Sequence, residues 1–209
     1  MKKMKKILIL LFGVFSVMSF GQSKYEVGMQ KALQQWQSGQ SKEAVAMLDR
    51  IAMSDKENWI PVYYKVFISI TGGFNNPHTD DIEDIVAANR VLIDQWLDKG
   101  GSEWYVLKGM NETLELITDP MNKGMVQTPI INKTYDKAIE LDPTNPRAVY
   151  SVASFQINSA KFMKVDMVYY CKMVEKSIEL FDKQKSDVPF YPAWGKDWAL
   201  KTQELCKGK

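Results

Sequence analysis

Apolar residues recur at helical spacing along nearly the whole chain, as in Val62, Tyr63, Val66, Phe67 and Ile70, and again in Ile82, Ile85, Val86, Ile93, Trp96 and Leu97. No stretch sustains the polar–apolar alternation of a strand. Turn residues interrupt the pattern at Ser38-Gly39, Gly72 to Pro77, Gly100-Gly101, Asp119-Pro120, Asp142 to Pro146 and Asp187 to Pro192. The spacing therefore predicts nine helices, over 24–38, 41–54, 59–71, 80–98, 102–118, 127–141, 146–161, 165–184 and 193–206. Four pairs and one helix left over suit a short solenoid with a terminal capping helix.

An internal repeat supports this. Sliding the chain by 87 residues aligns Asp49 with Asp136, Asp55 with Asp142, Asn58 with Asn145, Val62 with Val149 and Tyr63 with Tyr150, and brings Arg50 onto Lys137. Both segments read as one helix–turn–helix unit. The units between them carry extra residues, most simply at 72–79 and 119–126, and these two insertions are candidate functional loops.

The run from Tyr135 to Val149, with Ala138, Pro143 and Pro146 inside it, resembles the end of one tetratricopeptide repeat (TPR) and the start of the next. Ala32, Gly39, Ala44, Leu48 and Ile51 fit a first repeat at the same spacing. Small residues let paired helices approach, and the proline ends the second helix of each pair. The resemblance implies an all-α fold, a right-handed superhelix of about four TPR-like helix pairs closed by a C-terminal capping helix. The closing run of Cys171, Ile178 to Phe181, Pro192 to Gly195 and Cys206 also resembles small exported TPR proteins of Gram-negative bacteria, a resemblance that implies no particular activity.

Residues 1–21 read as a signal peptide: Lys2, Lys3, Lys5 and Lys6 precede an apolar run from Ile7 to Phe20, too short to span a bilayer, and Ser19 and Gly21 suit a cut before Gln22. The remaining 22–209 form a single helical domain, expected in the periplasm or outside the cell. Removing those four lysines from 27 basic residues leaves 23 against 25 acidic ones, so the formal charge of +2 becomes −2. The basic excess belongs to the export label, and no nucleic-acid footprint or lasting membrane insertion is expected. An oxidising compartment favours a disulfide between Cys171 and Cys206, the alternative being two buried thiols.

Catalytic designs find little support. His78 is the single histidine, which excludes a zinc site with two histidine ligands and a histidine triad with a spare base. No G-x-S-x-G or phosphate-loop motif is present. His78, Asp80, Asp81, Glu83 and Asp84 crowd together, but a capping box from Asp80 to Glu83 with acids in a first helical turn accounts for them. The expectation is a non-enzyme with no metal or cofactor.

In the family, fixed positions on the first helix of each pair line a concave groove. Carried onto this chain residue by residue, the TPR resemblance places Met29, Trp36, Tyr63, Phe67, Tyr105, Arg147 and Tyr150 there, with Met29, Tyr63, Tyr105 and Tyr150 forming a ladder. Such a ladder would grip a protein or peptide segment of an envelope partner. The opposing reading packs these tyrosines against the second helices. The alternative function is a small-ligand binder or enzyme with a site formed by the 72–79 and 119–126 insertions.

Overall fold

The structure is a computed structural model and describes residues 23–207; the expected signal peptide lies outside the described residues. Among the described residues there are nine helices and no strand: α1 (Lys24–Gln37), α2 (Ser41–Ser54), α3 (Trp59–Asn75), α4 (Ile82–Asp94), α5 (Leu97–Thr118), α6 (Pro120–Leu141), α7 (Pro146–Ser159), α8 (Met167–Lys183) and α9 (Lys196–Cys206). The all-helical expectation is met.

Four local expectations need correction. The helix α3 continues through Gly72 and Gly73 to Asn75. A Cβ on Gly73 would lie 2.5 Å from Leu114 Cδ2, so this glycine permits close helix approach rather than ending the helix. Residues 120–126 are the opening turns of α6, not a loop: Pro120 starts the helix, where a missing N–H does no harm, and Asp119 caps it by accepting from the Asn122 N–H at 3.2 Å. The Gly100-Gly101 signal produces a kink inside α5, with Gly101 at φ 60°, ψ −150°. Finally, the Asp80–Glu83 capping box does not form. Asp81 holds the cap position of α4 without a side-chain cap and instead accepts from the Thr79 hydroxyl at 2.7 Å, while Glu83 and Asp84 still occupy the first turn.

The 87-residue repeat has a structural counterpart. Asp55 and Asp142 end α2 and α6, and Asn58 and Asn145 cap α3 and α7 through their side-chain carbonyls. Asn145 accepts from the Arg147 N–H at 2.9 Å while its amide donates to Ser102 Oγ and Glu103 Oε1, both at 2.9 Å, so this cap is also a tertiary tie.

Consecutive helices pack on one another, and α3 also packs on α5 and α5 on α7. The main core runs through Met29, Leu48, Tyr63, Phe67, Trp104 and Leu107. Across it folds the segment between α8 and α9. Trp194 stacks on Phe67 with centroids 4.4 Å apart, Tyr191 meets Trp59 edge-on, and Phe190 does the same to Tyr25. A disulfide joins Cys171 in α8 to Cys206 at the end of α9, as expected.

That returning segment corrects the groove expectation. Met29, Tyr63, Phe67 and Arg147 have no exposed surface, and Tyr105 is half-buried beside the core. Residues 184–198 of the same chain lie over Tyr63, Phe67 and Arg147, so that part of the expected groove is occupied by the chain itself.

Candidate functional site

Arg147, at the N-terminus of α7, organises the covering segment. Its Nε and Nη2 donate to the Glu103 carboxylate at 2.8 to 3.0 Å, and its Nη1 donates to Gln184 Oε1 at 3.0 Å. The rings of Phe181, Tyr191 and Trp194 surround the guanidinium at 5.8 to 5.9 Å. Tyr63 donates its hydroxyl proton to Glu103 Oε2 at 2.9 Å and accepts from Trp194 Nε1 at 3.0 Å. Burial, followed by the charge of Glu103, pushes the Tyr63 phenol well above its ordinary value. A buried charge pair this fully hydrogen-bonded fixes one position for the segment that carries Trp194.

Trp194 and Trp198 form one wall of a cavity of about 1220 Å³. Trp36 of α1 and Phe74 of α3 line a second side; Met110, Leu116 and Ile117 come from α5, Tyr135 from α6, and Tyr150 and Phe155 from α7. The mouth is formed by Met121 and Met125 on the first turns of α6 and by Phe162 and Met163 in the α7–α8 connection. These four side chains are 82%, 93%, 62% and 43% exposed, an apolar rim where water would favour polar groups. Thioethers bend to many shapes, so a methionine-rich mouth can mould itself to an apolar guest.

Several of the polar side chains inside are already engaged, whereas Asn75, Thr128 and Ser151, which also line the space, make no side-chain hydrogen bond among the described residues. Thr71, Thr113 and Ser159 donate their hydroxyls to the carbonyls of Phe67, Gly109 and Phe155 on their own helices. Asn158 donates to Ser154 O, and the phenols of Tyr135 and Tyr150 are paired with Thr113 and Thr202. Tyr135 lies against α5 because Gly109 has no side chain; a Cβ there would be 2.3 Å from its ring. The interior presents mainly methyl, methylene and ring surfaces, with the side chains of Asn75, Thr128 and Ser151 among them.

Of the seven expected groove residues, the cavity gathers Trp36 and Tyr150. It also gathers residues from both proposed insertions, Phe74 and Asn75 from the first and Pro120, Met121, Gly124 and Met125 from the second. His78 is exposed and does not line it. Among the described residues no three of His, Cys, Asp or Glu are placed to hold a metal ion, and no helix is long and apolar enough to cross a membrane. A smaller depression of about 270 Å³ between α4, α5 and α6 has the charged side chains Arg90, Asp94, Lys108, Glu112 and Glu115 around an isoleucine floor of Ile93, Ile130 and Ile131. Burial raises the Glu112 carboxyl above the usual range there.

No protein-family model matches the chain, and no curated protein matches it. A solved structure does. The chain is similar in fold to the HusA haemophore from Porphyromonas gingivalis. The TM-score is 0.78 at 22% identity, covering 91% of this chain and 96% of the HusA chain. At that identity the likeness to HusA establishes a shared helical architecture.

Proposed function

We propose that this chain is an exported carrier that holds an apolar ligand of tetrapyrrole size in its methionine-rimmed cavity. The observation that carries the reading is a contrast: the part of the expected peptide groove around Tyr63, Phe67 and Arg147 is filled by residues 184–198, whereas the Trp36–Phe155–Trp198 cavity is large, mostly apolar and open. Its volume suits a multi-ring ligand, and a mostly apolar wall with a few polar groups is what small-molecule sites generally present. The fold of HusA, a haemophore, supports the same class of cargo. A Cys171–Cys206 disulfide supports a life outside the reducing cytoplasm.

Haem would here be cargo. The side chains lining the cavity include no histidine, cysteine or carboxylate, and its two phenols are hydrogen-bonded; the sulfurs of Met110, Met121, Met125 and Met163 are the soft donors at hand. Such walls recognise a macrocycle through its faces and edges more than through its metal. The reading is non-catalytic, and a protein partner, if one receives the cargo, would meet the exposed rim of Met121, Met125 and Phe162.

The test is a titration of the purified protein with haemin and with metal-free protoporphyrin, followed by the Soret band and by tryptophan fluorescence, which Trp36, Trp194 and Trp198 should report. Saturable quenching by both, with affinities within about tenfold of each other, is the expected result. Absence of saturable change with either ligand would overturn the assignment.

A further inference from the structure

The cavity described above carries one formal charge on its lining, and that charge is positive. Lys161 sits in the α7–α8 connection at the mouth, and no Asp or Glu lines the same space. Its ammonium stands 4.9 Å from the centroid of Phe162, and among the described residues it makes no hydrogen bond or ion pair with another side chain. Nearby charged groups are otherwise engaged or turned away. Lys123, two residues from both Met121 and Met125 and so on another face of α6, donates to Glu115 O and Thr118 Oγ1, and Asp166 accepts from the Tyr169 N–H as the cap of α8. Lys164 belongs to the same connection but does not line the cavity.

Thr71, Thr113, Ser159 and Asn158 donate to carbonyls of their own helices, while Asn75, Thr128 and Ser151 offer neutral donors. A ligand bearing an anionic group thus finds one cationic donor on the lining, and it lies at the mouth. We infer that Lys161 anchors an anionic group of the ligand, a carboxylate or its chemical equivalent, so that the preferred guest is an amphipathic anion entering apolar end first. This rests on the reading of the cavity as a ligand site and adds polarity and direction to it. Burying the apolar body between Leu116, Phe155 and Trp198 supplies affinity, and an ion pair at the wet rim supplies orientation with a salt-sensitive contribution.

The test uses two fluorescent probes of similar size, anilinonaphthalene sulfonate, which is anionic, and phenylnaphthylamine, which is neutral. Both are titrated into the wild-type protein, Lys161→Ala and Lys161→Glu. Lys161 is exposed in a connection, so both variants should fold, and the neutral probe reports on cavity integrity in each. The expected result is that the anionic probe binds about threefold to tenfold more weakly to Lys161→Ala and weaker still to Lys161→Glu, with the wild-type advantage shrinking in high salt, while the neutral probe is unaffected. Equal binding of the anionic probe to all three proteins would overturn the anchor and leave the cavity reading standing. Failure of both probes to bind wild type would overturn both.

Discussion

Arg147 and Glu103 are the side chains on which the returning segment depends. Neither has appreciable exposed surface, and they are joined by three hydrogen bonds of 3.0 Å or less. Removing one partner from such a pair strands a buried charge, so Arg147→Ala should destabilise the protein by about 3 to 5 kcal/mol in chemical denaturation. Replacing both Glu103 and Arg147 with apolar residues of similar volume should recover much of that loss; a double variant as unstable as the sum of the singles would contradict the pairing. The TPR resemblance places Arg147, Tyr63 and Phe67 on the groove-lining face of their helices. It could not show that they are covered, because their cover comes from Trp194, 131 residues beyond Tyr63, and periodicity carries no information on pairing at that range. Tyr150 was readable for a different reason: the 87-residue repeat fixed its register, and its ring lies at the cavity edge.

Among the elements, α9 bears most directly on the site. It brings Trp198 to the cavity and is tied to α8 by the Cys171–Cys206 bond, which closes a loop with a sequence separation of 35. Cutting that link by Cys171→Ser should lower stability by about 3 to 4 kcal/mol in the chain-entropy account. It should also weaken porphyrin binding more than an exposed substitution on α2 of equal stability cost, as judged by tryptophan quenching. The opening of α6 shows why the second insertion was misread. Met121 to Val126 contains a glycine and follows a proline, which reads as a loop, yet Pro120 at the first helical position begins a helix as readily as it ends one. Placing Met121 and Met125 one helical turn apart aims both at the mouth, so Met125→Glu, a charge placed on an otherwise uncharged stretch of rim, should reduce affinity for an anionic porphyrin by about tenfold with no loss of fold.

The whole molecule should respond to alkali through its buried phenols. Burial raises Tyr64 and Tyr191 to about 12, and burial together with Glu103 raises Tyr63 well above the ordinary value of 10.0. The folded state favours the protonated phenols, so the stability they contribute is complete below pH 10.0 and is lost as pH rises through the folded values near 12. Thermal unfolding should therefore be insensitive to these groups up to about pH 10 and fall steeply above it, with tyrosinate absorbance rising together with loss of helicity. A protein whose tyrosines all ionise near pH 10 while its helices persist would show that these rings are solvated. Cargo should act in the opposite direction, adding about 2.7 kcal/mol when present at a hundredfold excess over its dissociation constant.

The covering segment also imposes an order in time. Synthesis proceeds from the N-terminus, so α1 to α8 are made before residues 184–206 exist to lie across them. Until Trp194 stacks on Phe67 and Cys206 reaches Cys171, the face around Tyr63 remains bare and one wall of the cavity is missing. A half-made chain thus has an adhesive surface but no receptacle. On the proposed function, loading would wait for the last helix and its oxidation.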